Sequence, residues 1–178
     1  MVTNQFAVPY SPTAPDFVDA MVDLFTAAHQ AAGTDVLIKD GPWITKESAR
    51  SVIAVGFAGF FSRYERPGIS TSEQFGMADV VTEAIQEGLG PSITERHVLT
   101  CASLTRVGST KAMKDARREA YDNIKICAAG ISPTHGRWPG GAYNIVFGSS
   151  SSLSQTQDRD GVLVMVMFSV SGEMTAQQ

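Results

Sequence analysis

His97 and Cys101 stand four residues apart in "ERHVLTCASLTRVG" (95–108), and a thiol near an imidazole is the minimum equipment for cysteine-based nucleophilic catalysis. The same stretch says how they are held. His97, Leu99, Cys101 and Ser103 alternate with Val98, Thr100, Ala102 and Leu104, which predicts a strand. On one face of a strand these two residues are about 13 Å apart, from a rise of roughly 3.3 Å per residue. A working thiolate–imidazolium pair needs a separation of roughly 3 Å, so a small cysteine-dependent hydrolase built on Cys101 has no base within reach. The other histidines are isolated. His29 falls near the end of a helical pattern, where a cation suits the dipole, and His135 lies in a turn, "THGRW". No HxxxH or HxH spacing occurs, and Cys101 and Cys127 form no CxxC pair, so the reading is of two buried reduced thiols and no metal site. "GSSSSLSQ" contains no GxSxG elbow, and "GFAGFF" and "RWPGG" lack the GxxxxGK[ST] phosphate loop. Arg117 and Arg118 read as the solvated face of a helix. No catalytic, cofactor-binding or metal-ligating residue is assigned, and no cofactor is expected.

The elements that would carry these residues follow from periodicity. Residues 1–12, with Pro9 and Pro12, read as an extended N-terminal arm. Phe17, Met21, Leu24 and Ala28 mark one face of a helix over Asp16–Ala32, with Thr13 or Ser11 as cap, Pro15 in its first turn and Gly33 at its end. Asp35–Lys39 predicts a short strand closed by Asp-Gly-Pro, and a second strand starts at Ser51. Residues 62–76 show no period. "DVVTEAIQEGLGPSI" is read as a short helix closed by Gly88 and Gly90, with a strand as the alternative. After the strand at 95–108, Ala116, Ala120, Ile124, Cys127 and Ile131 step by 4, 4, 3 and 4, the stripe of a helix over 110–131 capped by Ser109 or Thr110. Ala142–Ser149 predicts a strand, and a polar loop at 149–160 joins it to the last strand as a long hairpin. The sum is an α+β domain over 13–174, a mainly antiparallel sheet with two principal helices on one face and a C-terminal β-hairpin, followed by a tail at 175–178.

That last strand, "DGVLVMVMFSV" (160–170), is apolar on both faces. Val162, Val164, Val166 and Phe168 are stiff and include the one aromatic, so they are assigned to the core under the helices. Leu163, Met165 and Met167 include two flexible thioethers, suited to a surface that adapts to a partner. They are assigned to contact outside the subunit's own core, with cover by the 62–90 region of the same chain as the alternative.

Bulk composition narrows the class. The chain has 178 residues, 43% hydrophobic and 18% charged, with a formal net charge of −4. That fits one globular domain and argues against a protein that grips phosphate backbones. The start has no signal-peptide pattern and no apolar run reaches membrane-spanning length, so the expectation is a cytoplasmic protein with no membrane partner.

The order of the pieces resembles the tail terminator proteins of long-tailed bacteriophages, also called tail-to-head joining or minor tail proteins. The shared layout runs through the Asp40–Pro42 turn, the strand ending in "VGF", the strand with Glu95 and Cys101, Gly108, and the helix with Ala116, Arg117 and Ala120. It ends with a Gly-Gly turn, a polar loop holding Gln155 and Gln157, Gly161 and a final apolar strand. The resemblance covers roughly Asp16–Met174 and leaves the arm and residues 62–76 without a place in the pattern. It implies a non-enzymatic structural protein of the virion neck, assembled in the host cytoplasm. The implied product is a homo-oligomeric ring, typically a hexamer, that caps the tail tube and ends its polymerisation. Its other surface accepts the head–tail connector or stopper protein, and its bore is the DNA ejection channel. DNA would pass without specific binding, and Asp158, Asp160 and Glu173 are the channel-lining candidates. Another connector component, a head completion (stopper) or tail-tube protein, is the alternative within the virion.

Overall fold

The computed structural model describes residues 13–41, 49–57, 80–85, 93–108, 113–131, 141–148, 152–158 and 161–176. Two long strands form its centre: β4 (Ile93–Val107) and β7 (Gly161–Ala176) pair antiparallel along their whole length, from Ile93 opposite Ala176 to Val107 opposite Val162. Each long strand carries two shorter ones in tandem on its outer edge. Along β4 lie β2 (Ser51–Val55) and β3 (Val80–Ile85), and along β7 lie β5 (Tyr143–Phe147) and β6 (Ser152–Asp158). β1 (Val36–Asp40) completes the seven strands and runs parallel to β2, while the other described pairings are antiparallel. The helices α1 (Ala14–Ala31) and α2 (Met113–Ile131) pack on one face. The fold is therefore α+β, with a C-terminal β6–β7 hairpin.

Sequence periodicity dictates most of this. The α2 stripe Ala116, Ala120, Ile124, Cys127 and Ile131 is buried as its spacing requires, with Asn123 beside it. Small residues let the helices approach closely: a side chain at Gly130 would place its Cβ 2.8 Å from that of Ala28. α1 buries Phe17, Ala20, Met21, Phe25 and His29. Gly33, at φ +64°, makes the left-handed turn that ends it. Phe168 of β7 stacks on Phe147 of β5 at a ring separation of 5.2 Å and meets Phe25 of α1 at 6.1 Å, which ties the sheet to the helix layer. Ser103 donates to the carbonyl of Ala120 at 2.9 Å, and Ser51 donates to Glu119 at 2.8 Å, fixing α2 over β2 and β4.

Several expectations are corrected. Residues 80–85 form a strand rather than a helix, because antiparallel pairing with β4 from Val80 opposite Leu99 to Ile85 opposite Thr94 outweighs the helix-favouring Glu83 and Ala84. Residues 152–158, read as loop, form β6. They lack apolar alternation because residues 152–157 are all exposed, so β6 is ordered by its pairing with β7 and not by burial. The hairpin partner of β7 is accordingly β6. The strand continues past 174, with Ala176 buried, so Thr175 and Ala176 belong to the sheet and not to a tail. The arm at 1–12, residues 62–76, the Ser109/Thr110 cap, Gly88, Gly90 and His135 lie outside the described residues.

Candidate assembly face of the sheet

The side of β4 that bears His97, Leu99, Cys101 and Ser103 faces the helices, and so does the side of β7 that bears Val162, Val164, Val166, Phe168 and Val170. The assignment of the even-numbered β7 residues to the main core is correct. Cys101 is fully buried there, and burial pushes its thiol up to about 12, so it stays protonated. Burial raises the Cys127 thiol as well. His97 does not meet Cys101; its ring nitrogens lie 2.8 Å from the hydroxyl of Thr13 and 3.0 Å from that of Thr82. His29 corrects the helix-dipole reading. Its ring is buried between Thr34 (2.8 Å) and the Cys127 sulfur (3.5 Å), and desolvation lowers its pKa and keeps it uncharged, although the Asn123 carbonyl favours the charged form. Among the described residues no group of three His, Cys, Asp or Glu could hold a metal ion. No described helix is long and apolar enough to cross a membrane.

The opposite face is graded from one end to the other. At the apolar end Val52, Ala54, Phe57, Ala102, Leu104 and Met167 form a second buried cluster, with Leu37 and Met165 packed against it. Met167, assigned from sequence to contact outside the subunit, is 0% exposed within this cluster. The register explains it. Ala54 pairs with Ala102, and Ala102 with Met167, so two small side chains leave a furrow that the thioether fills. Phe57 folds onto the same face, its N–H donating to the Thr100 carbonyl at 2.7 Å. Met165 and Leu163 are only half-buried.

At the other end the described residues leave the face exposed. Val81, Val98, Ser171 and Val146 stand in one lateral row across β3, β4, β7 and β5. The three valines are 51%, 38% and 59% exposed. Three strand spacings make the row about 14 Å long. Water-facing positions of an antiparallel sheet ordinarily carry polar side chains, so three β-branched residues in line form an apolar strip. The next row is charged: Glu83, Arg96 and Glu173 are neighbours across three strands. Arg96 donates to Glu173 at 2.8 Å and Asn144 donates to its second oxygen at 2.7 Å. The Arg96 hydrogen bond, followed by that of Asn144, holds the Glu173 carboxyl below its ordinary range, while the same bond raises the Arg96 guanidinium. A bulge between Tyr143 and Val146, with Asn144 at φ +51°, turns Asn144 onto this face. Of the channel-lining candidates, then, Glu173 is a member of this ladder, Asp158 sits opposite Gly161 at the hairpin turn, and Asp160 lies outside the described residues. The structure does not bring the three together. The valine strip escapes a sequence reading because its three members come from three strands, β3, β4 and β5. Val98 and Val146 inside strand patterns are its only trace, since Val81 falls in the stretch read as a helix.

No protein-family model matches the chain, and no curated protein matches it.

Proposed function

We infer that the chain is a structural subunit of a phage neck. It forms a homo-oligomeric ring, of six copies in the family it resembles, that caps the tail tube and receives the head connector while leaving a channel for DNA. The observation that carries the reading is the open end of the sheet face. A strip of exposed valines beside a Glu–Arg–Glu ladder combines apolar area with charges that fix register, as contacts between neighbouring subunits require. The element order that resembles tail terminators supplies the rest, with a tube or stopper protein as the alternative role in the same particle. A cysteine-dependent hydrolase is the weaker reading, since Cys101 is buried, protonated and away from His97.

The test separates assembly from folding. Val81→Lys and Val146→Lys place charges on exposed positions and should leave the melting temperature within a few degrees of the parent's while abolishing the oligomer. Oligomers of unchanged mass from both variants would remove this face from the account.

A further inference from the structure

Four side chains meet in a buried node where α1 starts. Glu95 and His97 on β4 are both fully buried. Thr13, the residue before α1, leaves its own helix uncapped and donates both its N–H (2.7 Å) and its hydroxyl (2.6 Å) to one Glu95 oxygen, Oε2. The same hydroxyl is 2.8 Å from His97 Nε2, and Thr82 on β3 is 3.0 Å from His97 Nδ1. Phe17 stacks on the imidazole at 5.2 Å, over the backbone of Gly172.

With the ring neutral, donor and acceptor counting assigns a direction to each bond. Because the Thr13 hydroxyl donates to Glu95, it can only accept from His97, so the proton of the neutral ring sits on Nε2. Nδ1 is then an acceptor, and the Thr82 hydroxyl donates to it. The result is a one-way chain, Thr82 to His97 to Thr13 to Glu95, running from an exposed residue to a buried carboxylate. The second carboxylate oxygen, Oε1, is buried with no partner among the described residues.

We propose that this node is a proton relay that operates a clasp on the first turn of α1. A solvent proton bonds to the oxygen of exposed Thr82 as the Thr82 hydroxyl proton passes to His97 Nδ1. The Nε2 proton passes to the Thr13 oxygen, and the hydroxyl proton of Thr13 passes to Glu95 Oε2. One proton has entered and rests on Glu95; the ring is again neutral but carries its hydrogen on Nδ1, and the Thr82 oxygen, which holds the incoming proton, accepts from it. No imidazolium remains in the core, in keeping with the burial that disfavours the charged ring. Glu95 is the one titratable group facing His97 among the described residues. α1 presents Thr13 and Phe17, with Asp16 exposed; β3 presents Thr82, with Glu83 on the other face; β7 presents Gly172, with Glu173 on the other face, as is Arg96 on β4 itself. Neutralising Glu95 removes the charge that holds the Thr13 N–H and faces the positive end of the helix dipole, so the first turn of α1 loosens while the sheet stays closed.

The test is nitrogen-resolved NMR of the full chain titrated from pH 7.5 downward, with the Glu95 carboxyl carbon and amide exchange followed together. The expected result is a change of the His97 tautomer from Nε2–H to Nδ1–H in step with Glu95 becoming a neutral acid. Amide exchange over 13–20 should rise about tenfold, the loss of one charge-assisted hydrogen bond, with no matching rise over 97–107. Glu95→Gln should fix the fast exchange at every pH. If that variant does not fold, the parent's tautomer signal decides alone. An imidazolium at His97 beside a persistent carboxylate, or no change in either group before global unfolding, overturns the proposal.

Discussion

Gly172 shows how much one position can carry. It lies opposite His97 across β4 and β7, and a Cβ there would stand 2.6 Å from Phe17 Cε2 and 3.0 Å from Cζ. Phe17 is fully buried against His97 and has no room to retreat. Gly172→Ala should cost about 1–3 kcal/mol, the range for overpacking a filled core, read as a lower urea midpoint with an unchanged slope. His29 supplies a second prediction. Its folded pKa is lowered from 6.5, chiefly by desolvation, so the unfolded chain binds the proton more readily. The stability due to its neutral form is full above about pH 6.5 and is lost as pH falls through the folded value. Urea midpoints should therefore decline below pH 6.5, and His29→Gln should flatten that decline; an equal decline in the variant would assign the effect elsewhere. His29 was misread from sequence because its place near a helix end says nothing of α2, whose Cys127 lies 98 positions away. The Glu95–Thr13 bond, spanning 82 positions, was equally invisible, whereas the separation of His97 from Cys101 followed from strand rise alone.

At the scale of elements, legibility tracked burial. α2 and β7 were read from apolar spacing because each buries a stripe against the main core. Ile124 belongs to that stripe, and Ile124→Asp should unfold the chain, since an unpaired buried charge costs several kcal/mol, of the order of the whole stability. A parent-like melt would mean that α2 presents another face. β6 went unread because exposed "SLSQTQD" owes its strand form to hydrogen bonds with β7, which leave no trace in apolar spacing. β3 was ambiguous for a related reason: Val80 and Val81 favour a strand, Glu83 and Ala84 a helix, and the decision lies in pairing with β4. The two faces of β7 show a finer limit. Alternation separated the two sets of residues, but the burial of Met167 depends on Ala54 and Ala102, on strands the sequence cannot align with it. Val164→Lys should unfold the chain, because Val164 is fully buried in the main cluster. Met165→Lys, at a half-buried position whose stem can reach water, should cost less than half as much in a paired denaturation series.

At the scale of the whole molecule, the described helices and strands leave one end of a sheet face exposed. There Val81, Val98 and Val146 stand beside Glu83, Arg96 and Glu173. Head-to-tail assembly into a closed ring is the proposed use of that surface, and it governs every further part of the neck-protein reading. Native mass spectrometry of the purified full chain over a range of concentrations tests it most directly. The expected result is one closed homo-oligomer, six chains in the ring proposed, whose copy number does not change once it has formed. A monomer at every concentration, or an open-ended series of ever larger species, would contradict it.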